Sequence, residues 1–220
     1  MKRTGRAGAA ELRPVEPEPG MLVHTSADRR LATEHWLLST HPKPKRALAR
    51  AQWAEHGVAL LPLGTLFSAV RIPGHLIIAL TATMEAAQID AFLENALNGG
   101  PVVCDPHGPR YYALVPASMP TTWRQAVDDW RTQDVDCLGR GTYLGIPRLD
   151  AVEPRTAGSY WSVPMPSLAM LCAPLSVARL IAASVHQLAE AAEPDSACRA
   201  ELRLMDGRAS SAVGVRRSHR

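Results

Sequence analysis

Asp134 to Trp161 reads D-V-D-C-L-G-R-G-T-Y-L-G-I-P-R-L-D-A-V-E-P-R-T-A-G-S-Y-W. Two carboxylates, Asp134 and Asp136, alternate across one residue, a spacing that puts both on one face of a regular strand. Gly139 and Gly141 follow, and each can supply a positive φ or a close backbone approach. Thr142-Tyr143-Leu144 then has strand chemistry. The stretch predicts a strand, a tight bend and a second strand. A long turn-rich segment runs from there to Gly158-Ser159-Tyr160-Trp161.

Upstream, the spacing of Ala47, Leu48, Ala51, Trp53 and Ala54 predicts a helix from Lys45 to His56, stopped by Gly57. Val58 to Leu63 is short and apolar, as a buried strand is. Leu66–Ile72 and His75–Thr81 are expected as two further strands turning at Pro73-Gly74. Thr83 is the expected cap of a helix that runs to Asn98-Gly99-Gly100. Pro101–Cys104 and Arg110–Val115 read as a hairpin around Asp105–Pro109. Trp123, Val127 and Trp130 predict a helix from Trp123 to Gln133. A shorter helix is expected over residues 31–40, ahead of Pro42.

Downstream, Pro174 suits the first turn of a long helix with Leu175, Ala178, Ile181, Ala182, Val185 and Leu188 as its apolar stripe. Such a stripe normally covers a sheet. The pattern predicts one compact α+β domain over residues 31–193, a mixed or antiparallel sheet covered by helices. Residues 1–30 read as a disordered Pro-rich extension and residues 194–220 as a mostly disordered tail.

The chain has 220 residues and a net charge of +3. That charge comes from the ends. Residues 1–30 hold six Lys and Arg against four acids, and residues 199–220 hold six Arg against two; between them, twelve bases face fifteen acids. Basic ends can attract nucleic acid without sequence preference, whereas the acidic centre gives no bulk argument for a nucleic-acid groove. The four cysteines form no C-x-x-C pair, which disfavours a structural zinc site. Cys104 to His107 has a metal-like spacing but reads better as a loop beside a buried thiol. No apolar leader segment and no uninterrupted membrane span stand out, so the expected setting is cytoplasmic and reducing.

Several pieces together resemble the N-terminal primase/polymerase (prim–pol) domain of bifunctional DNA primase/polymerases of bacteria, phages and plasmids. Ala54 to Leu63 looks like the family's opening helix, glycine and proline-ended strand. Thr83 and its helix look like its threonine-led helix, and Pro101 to Tyr112 is similar to the hairpin that carries its G-x-H motif. Val135-Asp136, Gly141 to Pro147 and Gly158-Ser159-Tyr160-Trp161 are similar to its hydrophobic-Asp motif, glycine-tyrosine strand and closing turn. The resemblance spans about residues 47–161. It implies a prim–pol-like palm, a role in DNA replication with DNA or nucleotides as partners, and Mg²⁺ or Mn²⁺ held by carboxylates for nucleotidyl transfer.

The departures bear on chemistry. Only Asn98-Gly99-Gly100 separates the threonine-led helix from Pro101, so the strand that should carry the first acidic pair is missing. Arg110 stands where the family has histidine. Asp136 alone of the expected acidic and histidine positions carries over as a catalytic position. Asp134 and Asp136 are left either as a weak cation site or as a solvated strand edge. Arg110, Arg140 and Arg148 are the candidate phosphate contacts, with Arg110 equally suited to pair with Asp105 or Asp136.

Three functions remain open on the sequence. The first is a catalytically degenerate prim–pol-like protein that binds nucleotide or nucleic acid. The second is an active nucleotidyltransferase with carboxylates relocated from Asp105, Asp128 or Asp129. The third is an oligomerisation module.

Overall fold

The computed structural model describes residues 15–18, 21–23, 25–154 and 158–192. The expected C-terminal tail, 194–220, and residues 1–14 of the expected extension lie outside these. Regular structure begins earlier than the sequence suggests, with two short antiparallel strands, β1 (Val15–Glu18) and β2 (Met21–Val23). Helix α1 spans Ser26–Leu38 rather than 31–40 because Thr25 and Asp28 form a reciprocal capping box. Helix α2 (Lys43–His56) follows and ends at Gly57, whose φ of 72° is left-handed.

The chain then enters β3 (Val58–Pro62) and β4 (Phe67–Pro73). The expected strand at His75–Thr81 is instead a helix, α3 (Gly74–Thr81). Periodicity alone does not separate strand from helix in a short apolar run such as Leu76 to Leu80. Tertiary packing decides, burying Leu76 and Ile77 in the core. Helix α4 (Ala86–Ala96) starts at Glu85 instead of Thr83; the Thr83 hydroxyl accepts the Glu85 N–H at 3.1 Å.

The predicted hairpin forms as β5 (Val102–Asp105) and β6 (Arg110–Pro116), paired Cys104 to Tyr111 and Val103 to Tyr112. The single helix expected at Trp123–Gln133 is broken into α5 (Met119–Thr122), α6 (Arg124–Trp130) and a 3₁₀ turn over Arg131–Gln133. Strands β7 (Asp136–Leu138), β8 (Tyr143–Pro147) and β9 (Tyr160–Val163) come next. Residues 174–192 form the last described helix, α7.

An antiparallel five-stranded sheet has the order β7-β4-β6-β5-β9. On one face Val70, Ile72, Cys104, Ala113 and Val115 pack with α3, α4 and α7. The amphipathic helix from Pro174 thus covers a sheet face, through Val177, Leu180 and Ile181; Leu175 and Ala182 of the expected stripe are exposed. On the other face Phe67, Ala69, Val103, Leu114 and Trp161 pack with Leu37, Ala49 and Trp53 of α1 and α2.

This second face is also roofed by a ribbon, and here the predicted hairpin fails. Strands β7 and β8 do not pair. β7 joins the large sheet beside β4, while β8 pairs antiparallel with β3, Leu61 opposite Leu144. Between them Thr142 donates both its backbone N–H (3.1 Å) and its hydroxyl (2.6 Å) to Gly139 O, and Gly141 turns the chain at φ 89°. The turn lifts the chain from one layer to the next instead of folding it back in plane.

Candidate functional site

Residues of β4 alternate between the two faces, so Phe67, Ala69 and Arg71 point the same way. Phe67 and Ala69 are sealed beneath the ribbon, whereas Arg71 lies where this cover ends, with its side chain 27% exposed. Its Cα partner on β7 is Asp136, and its partner on β6 is Tyr112. Arg71 Nη2 donates to Asp136 Oδ2 and lies 3.4 Å from Asp134 Oδ1.

The two aspartates do not share a regular strand face, as their spacing predicts. Asp134 sits before β7 in the left-handed region, φ 56°, capping the 3₁₀ turn through its N–H to Arg131 O at 3.1 Å. Asp tolerates this conformation better than most residues. The bent chain still brings both carboxylates to Arg71. A guanidinium therefore fills the position between Asp134 and Asp136. As placed, the pair does not fit Mg²⁺ or Mn²⁺, which need several converging oxygens with no cation already among them. Among the described residues no group of three or more His, Cys, Asp and Glu is arranged to hold a metal ion. Asp128 pairs instead with Arg131 at 3.3 Å and Arg124 at 3.8 Å on the surface of α6.

Arg110 lies one step further along the same face, opposite Asp105 and next to Tyr112. Asp105 also accepts the His107 N–H at 3.1 Å. Burial pushes the Tyr112 hydroxyl up, as does Asp105, while Arg110 and Arg71 pull it back. Arg71, Arg110, Asp105, Asp134 and Asp136 thus form a polar row with more carboxylates than guanidiniums.

The other two candidate arginines are elsewhere. Arg140 is exposed at the far end of β7, its backbone against Gly64; a Cβ at Gly64 would lie 2.4 Å from Arg140 N. Arg148 follows β8 in the other layer. It grips Asp150 in a two-point fork, Nε to Oδ1 at 3.0 Å and Nη2 to Oδ2 at 2.7 Å. That hydrogen bonding, with the nearby Arg148 and Arg30 charges, holds the Asp150 carboxyl below its ordinary range. Of the arginines singled out in the sequence, only Arg110 joins Asp136 on one sheet face.

On the opposite face Cys104 is buried between Tyr111 and Tyr160, and burial pushes its thiol up to about 11. A thiol so held is protonated at neutral pH and is a poor nucleophile or metal ligand. Asp90 of α4 accepts from the Tyr160 hydroxyl at 3.3 Å and from Ser162. Desolvation raises its carboxyl above the ordinary value, against those two hydrogen bonds.

The sequence reading missed Arg71. The available signal was a lone charge in the apolar alternation F-S-A-V-R-I-P, which marks a strand residue that needs a partner. The fold and site define an α+β domain with an ion-paired acidic motif at the end of its central sheet. No protein-family model, curated protein or solved structure matches the chain.

Proposed function

We infer that the protein is a prim–pol-like palm that has exchanged nucleotidyl transfer for binding of nucleotides or nucleic acid in the context of DNA replication. The observation that supports this reading is Arg71, which occupies the space between Asp134 and Asp136. Two-metal transfer requires carboxylates free to brace cations against the attacking and leaving oxygens. Here they brace a guanidinium. The phosphate-binding capacity is carried by arginines, which need no metal to meet a phosphate oxygen. Free, buried Cys104 and Cys172 fit the reducing, cytoplasmic setting proposed for it. No single helix among the described residues is long and apolar enough to cross a membrane.

A template-dependent primer synthesis assay with Mg²⁺ or Mn²⁺ should yield no product, and a titration with a labelled oligonucleotide should show binding that weakens steeply with salt. Product formation that is lost in Asp136→Ala would restore the enzyme. Binding absent at low salt, or indifferent to salt, would remove the binding role.

A second reading, self-association, is favoured by the β3–β8 ribbon. Its outer face carries Val58, Leu60 and Tyr143, with Leu60 55% and Tyr143 59% exposed. The free edge of β3 is closed to strand addition, because Gln52 accepts the Leu60 N–H and His41 donates to Leu60 O at 2.9 Å. A second copy would therefore dock on the face, not the edge. Light scattering on the wild type and Leu60→Asp tests this: a dimer that the substitution disperses supports it, and a monomeric wild type ends it.

A further inference from the structure

A cleft of about 280 Å³ opens between α1, α2 and the segment after β8. Its walls include Arg30, Glu34, Arg50, Trp53, Arg148 and Asp150. Three guanidiniums share two carboxylates there. Asp150 takes Arg148 on both oxygens and Arg30 Nη2 at 3.1 Å, and Glu34 takes Arg50 Nε at 2.9 Å. One positive charge is left over. Both Nη groups of Arg50, Nη1 of Arg148, and Nε and Nη1 of Arg30 have no acceptor among the described residues. The carboxylates hold the planar forks in place, so less freedom is lost when a ligand meets the remaining N–H groups. A second cleft of about 400 Å³ adjoins across Arg148 and Asp150 and shares the Trp53 wall.

We propose that this cleft is the phosphate-binding site of the protein, taking the phosphate group of a nucleotide or of a nucleic-acid strand. A terminal phosphate offers three charged oxygens and a strand phosphodiester two, set in different directions, which suits donors arriving from separate guanidiniums; a carboxylate is already satisfied by one fork. The adjoining cleft gives space for the rest of a nucleotide. The assignment rests on the phosphate-binding reading above but moves it away from the Asp136 row.

The test is a calorimetric titration of the full chain at low salt with three probes: inorganic phosphate, dATP without divalent cation, and a short single-stranded oligonucleotide. Saturable binding of dATP is expected if the source is a nucleotide, and of the oligonucleotide alone if it is a strand backbone. Arg50→Ala should weaken the bound probe on the order of tenfold. Glu34→Gln, which frees Arg50 and adds one net positive charge, should tighten it several-fold. Arg50→Lys, checked by circular dichroism, guards against a folding defect and should fall between wild type and Arg50→Ala. Binding unchanged by both Arg50→Ala and Glu34→Gln overturns the site. If the oligonucleotide binds and is weakened by Arg110→Ala instead, the cleft is wrong while the wider binding role stands. No binding of any probe overturns both.

Discussion

The protein carries two ionic clusters of opposite stoichiometry. At the end of the central sheet, one guanidinium, Arg71, serves two carboxylates, Asp134 and Asp136. In the cleft beside α1 and α2, three guanidiniums serve two carboxylates. The first keeps excess negative charge. The second keeps excess positive charge and spare donors. The aspartates that look most like chemistry in the sequence are thus held by a guanidinium of the fold itself.

The largest expected effect comes from removing Arg71. Its side chain is 27% exposed and Asp136 is 36% exposed, so the pair is partly desolvated. Arg71→Ala should cost ~2 kcal/mol in urea unfolding, since it strands Asp136 beside Asp134 with no cation between. The same variant should gain thermal stability on addition of Mn²⁺, which the wild type should not. A cost near zero would make the first cluster as loose as the second.

Double-mutant cycles give the next effect. Arg71 with Asp136 should couple by ~1 to 2 kcal/mol, and Arg50 with Glu34, about half exposed and a third exposed respectively, by ~0.5 kcal/mol or less. Equal couplings would erase the contrast between a held pair and a surface pair.

The smallest effect concerns pH. The Asp150 carboxyl is lowered from 3.8 by Arg148 and Arg30. Its contribution is therefore present above the ordinary value and is lost as pH falls through the lower folded value. In thermal melts followed below pH 4, Asp150→Asn should flatten the acid limb, and at pH 7 the same change should lower Tm by at most ~2 °C, because the group is largely solvated. Asp90 has the opposite sign. Its carboxyl is raised, so it costs stability as pH rises through the range above 3.8, and Asp90→Asn should make the melt less sensitive there. Parallel behaviour of the two substitutions would contradict their opposite environments.

Much of the α+β fold was legible locally. Gly57 ending α2, the Val58–Pro62 strand, the β5–β6 hairpin and the helix from Pro174 each carry signals within a few residues of themselves. The errors fall where a local pattern had two solutions. The run at His75–Thr81 suits a strand or a buried helix. The glycines at 139 and 141 suit an in-plane hairpin or a step between layers, and only the pairing of β8 with β3 selects the step.

The same division holds for the site. The sequence by itself determined that Asp136 enters a strand and that Arg110 opens the second strand of a hairpin, because alternation and turn chemistry are properties of neighbouring residues. Which charges meet was decided only by the tertiary structure. Arg71 reaches Asp136 across 65 positions of chain, and Arg30 reaches Asp150 across a still longer separation. Charge pairing depends on distance in space and on how much water remains between partners, and the order of residues along a chain encodes neither until the layers close.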